Sequence, residues 1–184
     1  MLFRSDPSAK VALSDFYLAR GRLNDAIAIL EKLATQKGDF ATAQLRIALV
    51  QYTNDHRAEA NAALDKVLAQ DPKNAVALAL RAHIRIDEHR LPEAEVAANA
   101  AVASDPASVR ANFAKGKVLL ALSRTEEARA LFREVIRLDP DSGEGYMELA
   151  KLALDHQEID SAIQYAQQAA TLLPSDLEIG RAHV

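Results

Sequence analysis

Apolar residues in this chain recur every three or four positions within stretches of roughly 13 residues, and short polar runs separate the stretches. Leu131, Val135 and Leu138 form one such stripe; Ile163, Ala166 and Ala170 form another. That spacing lines one face of an α-helix rather than one side of a strand. Two kinds of polar run alternate. One is charged and compact, as in GRLND, NDHRAE and LSRTEE; the other holds a proline, as in DPKN, DPAS, DPDS and LPSD. Proline lacks a backbone donor and disfavours helix in the residue before it, so each proline run ends a helix. The residue that closes each run, Asn74, Ser108, Ser142 or Asp176, is a good N-cap for the next helix. Near the start, Asp6 fills that column and Pro7 takes the first helical position, where its missing N–H costs nothing. The chain therefore reads as paired helices.

The pairs keep a fixed period. Pro72, Pro106, Pro140 and Pro174 are 34 residues apart, as are Ala26, Ala60, Ala94, Ala128 and Ala162. The small residues Ser14, Ala48, Ala82, Gly116 and Ala150 form a third column with the same spacing. Three columns in one register define units at 7–40, 41–74, 75–108, 109–142 and 143–176, with a lead-in at 1–6 and a remainder at 177–184. The small columns have a mechanical role. Where the two helices of a unit cross, a small side chain lets the other backbone approach, and a large one there should cost about 1–3 kcal/mol by overpacking.

On these residues the chain resembles the tetratricopeptide repeat (TPR) family, with EEARALFREVIRLDP at 126–140 as the nearest match to its pattern. It departs from that pattern in three ways. No unit has the family's Trp, Gly38 stands where the first unit's proline should be, and Arg81 and Lys115 occupy a usually apolar column. The stems of those two side chains are expected to lie along the interface. The resemblance implies an all-α fold, a right-handed α-solenoid of antiparallel helix pairs, whose concave face is lined by the first helix of each unit.

Composition agrees with helices. The chain has 37 alanines against six Gly and six Pro, and alanine is the best helix former. With 49% apolar and 26% charged residues it suits a folded array. A net charge of −4 with interspersed signs argues against a nucleic-acid partner or an anionic membrane surface. No run reaches the roughly 18 apolar residues of a membrane span, so no membrane insertion is expected. The absence of cysteine excludes disulfides and cysteine-based zinc sites. The compartment stays open between cytoplasm and, had a signal peptide been lost, periplasm.

Candidate chemistry is sparse. The histidines are His56, His83, His89, His156 and His183; three read as lying in or near turns between helices of different units, with no i, i+4 pair. Glu126–Glu127 and Asp87–Glu88 suit turns or helix starts, where carboxylates favour the helix dipole. No phosphate loop or nucleophile elbow is present. The expectation is no enzyme, no catalytic residue, no cofactor and no metal.

What the resemblance implies instead is a groove for a peptide or partner helix. In the first two units it would be lined by Val11, Asp15, Leu45, Arg46, Leu49 and Tyr52. In the later units His83, Arg110, Phe113, Lys117, Met147 and Lys151 follow, and the same columns take in Ala79, Leu80, Ala114 and Glu148. The family's carboxylate clamp for chaperone C-termini needs lysines and asparagines in columns that lack them here, so that mode is not expected. The asparagine ladder of O-GlcNAc-transferase-like arrays is missing too. An apolar stripe with a basic run, His83, Lys117 and Lys151, remains, suited to a partner with apolar anchors and acidic residues. The reading is a bacterial protein-interaction scaffold; the alternative is the interaction arm of a larger enzyme such as a glycosyltransferase or sensor kinase.

The final EIGRAHV, 178–184, fits no column. One back-translation, GAG ATC GGA AGA GCA CAC GTC, resembles a sequencing-library adapter. The expectation is that Leu177 begins a sixth unit that is cut off, leaving the last second helix without its next neighbour.

Overall fold

The computed structural model describes residues 7–36 and 38–173, and among them it is built of ten helices and no strand. The lead-in with Asp6, and Pro174, Asp176, His183 and the EIGRAHV tail, lie outside the described residues. The five pairs are α1 (Pro7–Ala19) with α2 (Leu23–Ala34), α3 (Phe40–Thr53) with α4 (Arg57–Gln70), and α5 (Ala75–Asp87) with α6 (Leu91–Ser104). Then come α7 (Val109–Ala121) with α8 (Thr125–Leu138), and α9 (Gly143–Asp155) with α10 (Ile159–Leu172).

The helix starts follow the sequence. Asn74, Ser108 and Ser142 each accept a hydrogen bond from the amide three residues on, at 3.0–3.3 Å. Asp39, which caps α3, makes no such bond; the chain enters that helix from Gly38 at φ +98° instead of from a proline loop. In the true proline loops, Asp71, Asp105 and Asp139 each use Oδ1 to accept the amide two residues on. The aspartate before each proline thus holds the bend shut while proline blocks further helix.

The turns inside each unit differ from expectation. They are three residues long, and Asp25 of RLND and the charged residues of RAE and TEE already belong to the first turn of the second helix, while Arg22 is the last residue of its turn. Every first helix ends in a Schellman motif. The amides of Arg22, His56, Arg90, Arg124 and Glu158 bond back five residues at 2.8–2.9 Å. The residue before each sits in the left-handed region: Gly21, Asp55, His89, Ser123 and Gln157, all at φ 58–69°. His56, His89 and His156 consequently lie in turns between the two helices of one unit, not of different units.

Packing explains the alanine columns. Ser14, Ala48, Ala82, Ala26, Ala60, Ala94 and Ala128 are all fully buried. At Gly116 an added Cβ would lie 2.7 Å from Cε1 of Phe132, which is itself fully buried on the partner helix. Arg81 behaves as expected, its stem mostly buried and its guanidinium paired with Asp65 on α4. First helices also touch each other: α5 packs on α7 through Ala79, Ala111 and Ala114, and α3 meets α5, whereas no two second helices share a comparable interface. Closer approach on one side bends the stack, so the first helices form its inner, concave wall.

Candidate functional site

The first helices carry the columns named from the sequence, and their exposures differ. Val11, Leu45, Tyr52, Phe113 and Met147 are half-buried, and Leu49 is 41% exposed. Ala79 and Ala114 are not available to a ligand. Both are buried in the seam between α5 and α7 with Ala101 and Ala111, because two alanines facing each other let the helix backbones close up. The groove floor is therefore sealed between the third and fourth units, with larger apolar side chains on either side.

The polar residues form cross-unit contacts. Arg46 pairs with Asp15. The Tyr52 hydroxyl donates to the Asp87 carboxylate, and its ring meets His83 edge-on at 5.7 Å between centroids. Burial, then that hydrogen bond, pushes the Tyr52 hydroxyl well above the usual phenol range, so it stays a neutral donor. Lys117 Nζ lies 3.2 Å, and Lys151 Nζ 3.0 Å, from the same oxygen of Glu148. Glu148 is nearly buried, with a side chain only 9% exposed.

This changes the character of the basic run. His83 sits edge-on to the Tyr52 ring, and the two lysines converge on one carboxylate, so the two lysines and Glu148 leave a net of one charge. Arg110, also expected in the groove, is exposed and has no ion pair among the described residues. Sequence reasoning placed Glu148 in a groove column but missed its role, and it missed Asp87 as partner of Tyr52. A signal was present. Opposite charges stand 31 residues apart in two adjacent columns, as Asp15 with Arg46 and as Lys117 with Glu148.

Beyond Glu148 the wall opens into a cavity of about 380 Å³ lined in part by Leu120, Ser123, Thr125, Lys151, Asp155 and His156. Its mixed lining suits polar side chains of a bound segment. No group of three or more His, Asp and Glu side chains among the described residues is placed to hold a metal ion. No described helix is long and apolar enough to cross a membrane.

Comparisons with known proteins agree with this architecture. A family model described as tetratricopeptide repeat matches residues 80–142 and 113–176, and a second so described matches 42–74. No curated protein matches the sequence at a significant level. Among solved structures, that of Pseudomonas aeruginosa pilF is 25% identical, with a TM-score of 0.71 over 92% of this chain and 78% of that one. A thermophilic TPR protein of Thermus thermophilus is 19% identical, with a TM-score of 0.77 over 96% of both chains. YrrB, described as a TPR protein with an unusual peptide-binding site, is 18% identical, with a TM-score of 0.57 over 96% of this chain and 91% of its own.

Proposed function

The chain belongs to the tetratricopeptide repeat family, a fold that serves as a protein-interaction scaffold, and we propose that its concave wall binds a partner segment with no catalysis of its own. The observation that carries this reading is the half-exposed apolar wall itself. Leu45, Leu49 and Tyr52 on one side of the sealed α5–α7 seam, and Phe113 and Met147 on the other, are large side chains that the fold leaves partly in water. Their spacing along parallel first helices suits an amphipathic helix or extended segment that offers two groups of apolar anchors. Acidic groups on that segment would compete with Glu148 for Lys117 and Lys151, or take Arg110 directly.

The experiment is site-specific photocrosslinking in the source cells, with the probe at Leu49 or Met147 in the groove and at Val96 on an outer helix. The two groove positions should capture one common protein, and Leu49→Asp should weaken its affinity at least tenfold in a purified titration. Equal capture from Val96, or an unchanged affinity for Leu49→Asp, would remove the groove as the binding site.

A further inference from the structure

The cavity between the fourth and fifth units has a filled counterpart elsewhere in the chain. Its space of about 380 Å³ is lined in part by Leu120, Thr125, Lys151, Leu152 and Asp155. Two periods earlier, in the joint between the second and third units, the same positions hold Tyr52, Arg57, His83, Ile84 and Asp87. There the chain fills the space itself. The Tyr52 hydroxyl donates to the Asp87 carboxylate, its ring meets His83 edge-on, and Arg57 donates to the Asp87 carbonyl at 3.2 Å. In the later joint leucine replaces the tyrosine and threonine the arginine, so both groups that cover the aspartate are shortened. Asp87 is accordingly half-buried, whereas Asp155 is exposed and its side chain has no hydrogen bond or ion pair among the described residues. The aspartate is not part of the period, since its column reads Ala19, Thr53, Asp87, Ala121 and Asp155. One of the two aspartates thus comes with a tyrosine and the other with a cavity. That cavity is lined by the fourth and fifth units alone, and both groups on Asp87 come from the unit before it, so the site is complete within one joint.

We infer that this cavity is a binding site for a tyrosine side chain, supplied by the segment that lies along the groove, with the phenol donating to Asp155 as Tyr52 donates to Asp87. The inference rests on the groove reading and names one anchor of the partner. Three features select a phenol. The first is shape, because the space corresponds to the one that a tyrosine ring fills two periods earlier. The second is the pairing of an apolar side with one acceptor. Leu120 and Leu152 line the cavity together with the unpartnered Asp155 carboxylate, and a tyrosine has an apolar ring and a hydroxyl that needs a partner when it is covered. The third is charge. Lys151, whose Nζ lies 3.0 Å from Glu148, lines the same cavity, so a cationic side chain would meet a like charge there, whereas an aromatic ring beside an ammonium is attracted to it. An acidic side chain inside the cavity would face Asp155. A neutral donor on a ring avoids both penalties.

The test titrates the full chain with N-acetyltyrosinamide and follows backbone amide shifts by NMR. The probe should shift the amides of Ser123, Thr125, Lys151 and Asp155 to saturation. It should leave those of Asp55, Arg57, His83 and Asp87 unmoved, since Tyr52 already fills that joint. N-acetylphenylalaninamide should bind roughly tenfold more weakly, the worth of one hydrogen bond to a carboxylate. Asp155→Ala should bring the tyrosine amide down to the affinity of the phenylalanine amide. Leu120→Tyr should abolish binding of both, because the chain then fills its own cavity. If Leu120→Tyr loses helix content by circular dichroism, Asp155→Ala carries the comparison. Both variants should also weaken the affinity for the protein captured at Leu49 and Met147. The inference is overturned if the tyrosine amide moves no amide around the cavity, if the phenylalanine amide or N-acetylargininamide binds as well, or if Asp155→Ala leaves the captured protein's affinity unchanged. Failure of the groove reading has a different signature: no common protein is captured at Leu49 and Met147, while the phenol site stands on the probe titration.

Discussion

At the scale of single residues, two sets of positions carry the fold in different ways. The small columns were legible in the sequence because any large side chain there would collide, and the clearest case is Gly116. Its place is dictated by Phe132, whose ring atoms stand 2.7–2.8 Å from where a Cβ would be. The second unit solves the same crossing with Ala48 and Leu64, both fully buried. Gly116→Ala should therefore destabilise the protein by about 1–3 kcal/mol from overpacking, less the ~1 kcal/mol that alanine gains over glycine in a helix. Adding Phe132→Leu should recover much of that loss, although Phe132→Leu alone opens a gap. A double-mutant cycle in urea should give a favourable coupling of about 1 kcal/mol or more. Strict additivity would show that the ring moves aside. The left-handed turn residues were not legible. Asp55, His89, Ser123 and Gln157 occupy a conformation that costs a non-glycine residue about 1–2 kcal/mol, and only Gly21 announces it. The flanking helices and the paired carbonyl contacts of the Schellman motif impose the geometry whatever the side chain, so residue type carries no signal there.

At the scale of elements, the helix starts and the Asp-Pro ends could be read directly, because capping depends on chemistry local to four residues. The relative strength of each helix depends on what it buries. The buried side chains of α6 are Ala94, Ala97, Ala98 and Ala101 alone, whereas α2 buries Leu30 and Leu33 and α8 buries Phe132 and Val135. Apolar burial is worth about 25 cal/mol per Å², so α6 gains less from packing than α2 or α8 even though its alanines favour helix. A cavity of about 450 Å³, lined in part by Leu78, Arg81, Val96 and Ala100, opens beside it. At 14 residues α6 is near the length, about 12–15 residues, at which an isolated helix is marginal in water. Native-state hydrogen exchange should find the amides of α6 less protected than those of α8. Ala100→Leu, which adds apolar surface in the cavity, should slow exchange in α6 more than elsewhere. Equal protection of α6 and α8 in the unaltered chain would show that burial area does not rank these helices.

At the scale of the whole molecule, the 34-residue period was legible along the chain but the joints between units were not, because those pairings link two columns whose partners lie 29 residues apart. Glu95 of α6 accepts from Arg124 at 2.6 Å, in the next unit's turn. One unit on, the polarity is reversed: Arg129 of α8 donates from one nitrogen to both carboxylate oxygens of Glu158, at 2.7 and 3.0 Å. Each joint thus matches only its own neighbour, since a slip by one unit would set Glu95 against Glu158 or Arg129 against Arg124. Arg129 is nearly buried whereas the Glu158 side chain is 42% exposed, so reversing the charge of Arg129 sets a nearly buried carboxylate against one that solvent partly screens. Arg129→Glu should lower the urea midpoint and expose α9 and α10 first, while Glu158→Arg added to it should restore the joint with the polarity of Glu95–Arg124. The hydrogen bond from Arg129 also holds the Glu158 carboxyl below the usual carboxylate range. With the folded value depressed, the joint's contribution is complete above the ordinary glutamate range and is lost as pH falls through the lowered value. Acid should therefore loosen α10 in the unaltered chain, and this pH dependence should be weaker in an Arg129→Met variant, which has no guanidinium to lower that carboxyl. If Arg129→Glu left the fifth unit's amide protection intact, or if the double reversal failed to recover it, stacking of apolar side chains alone would be holding the units in order.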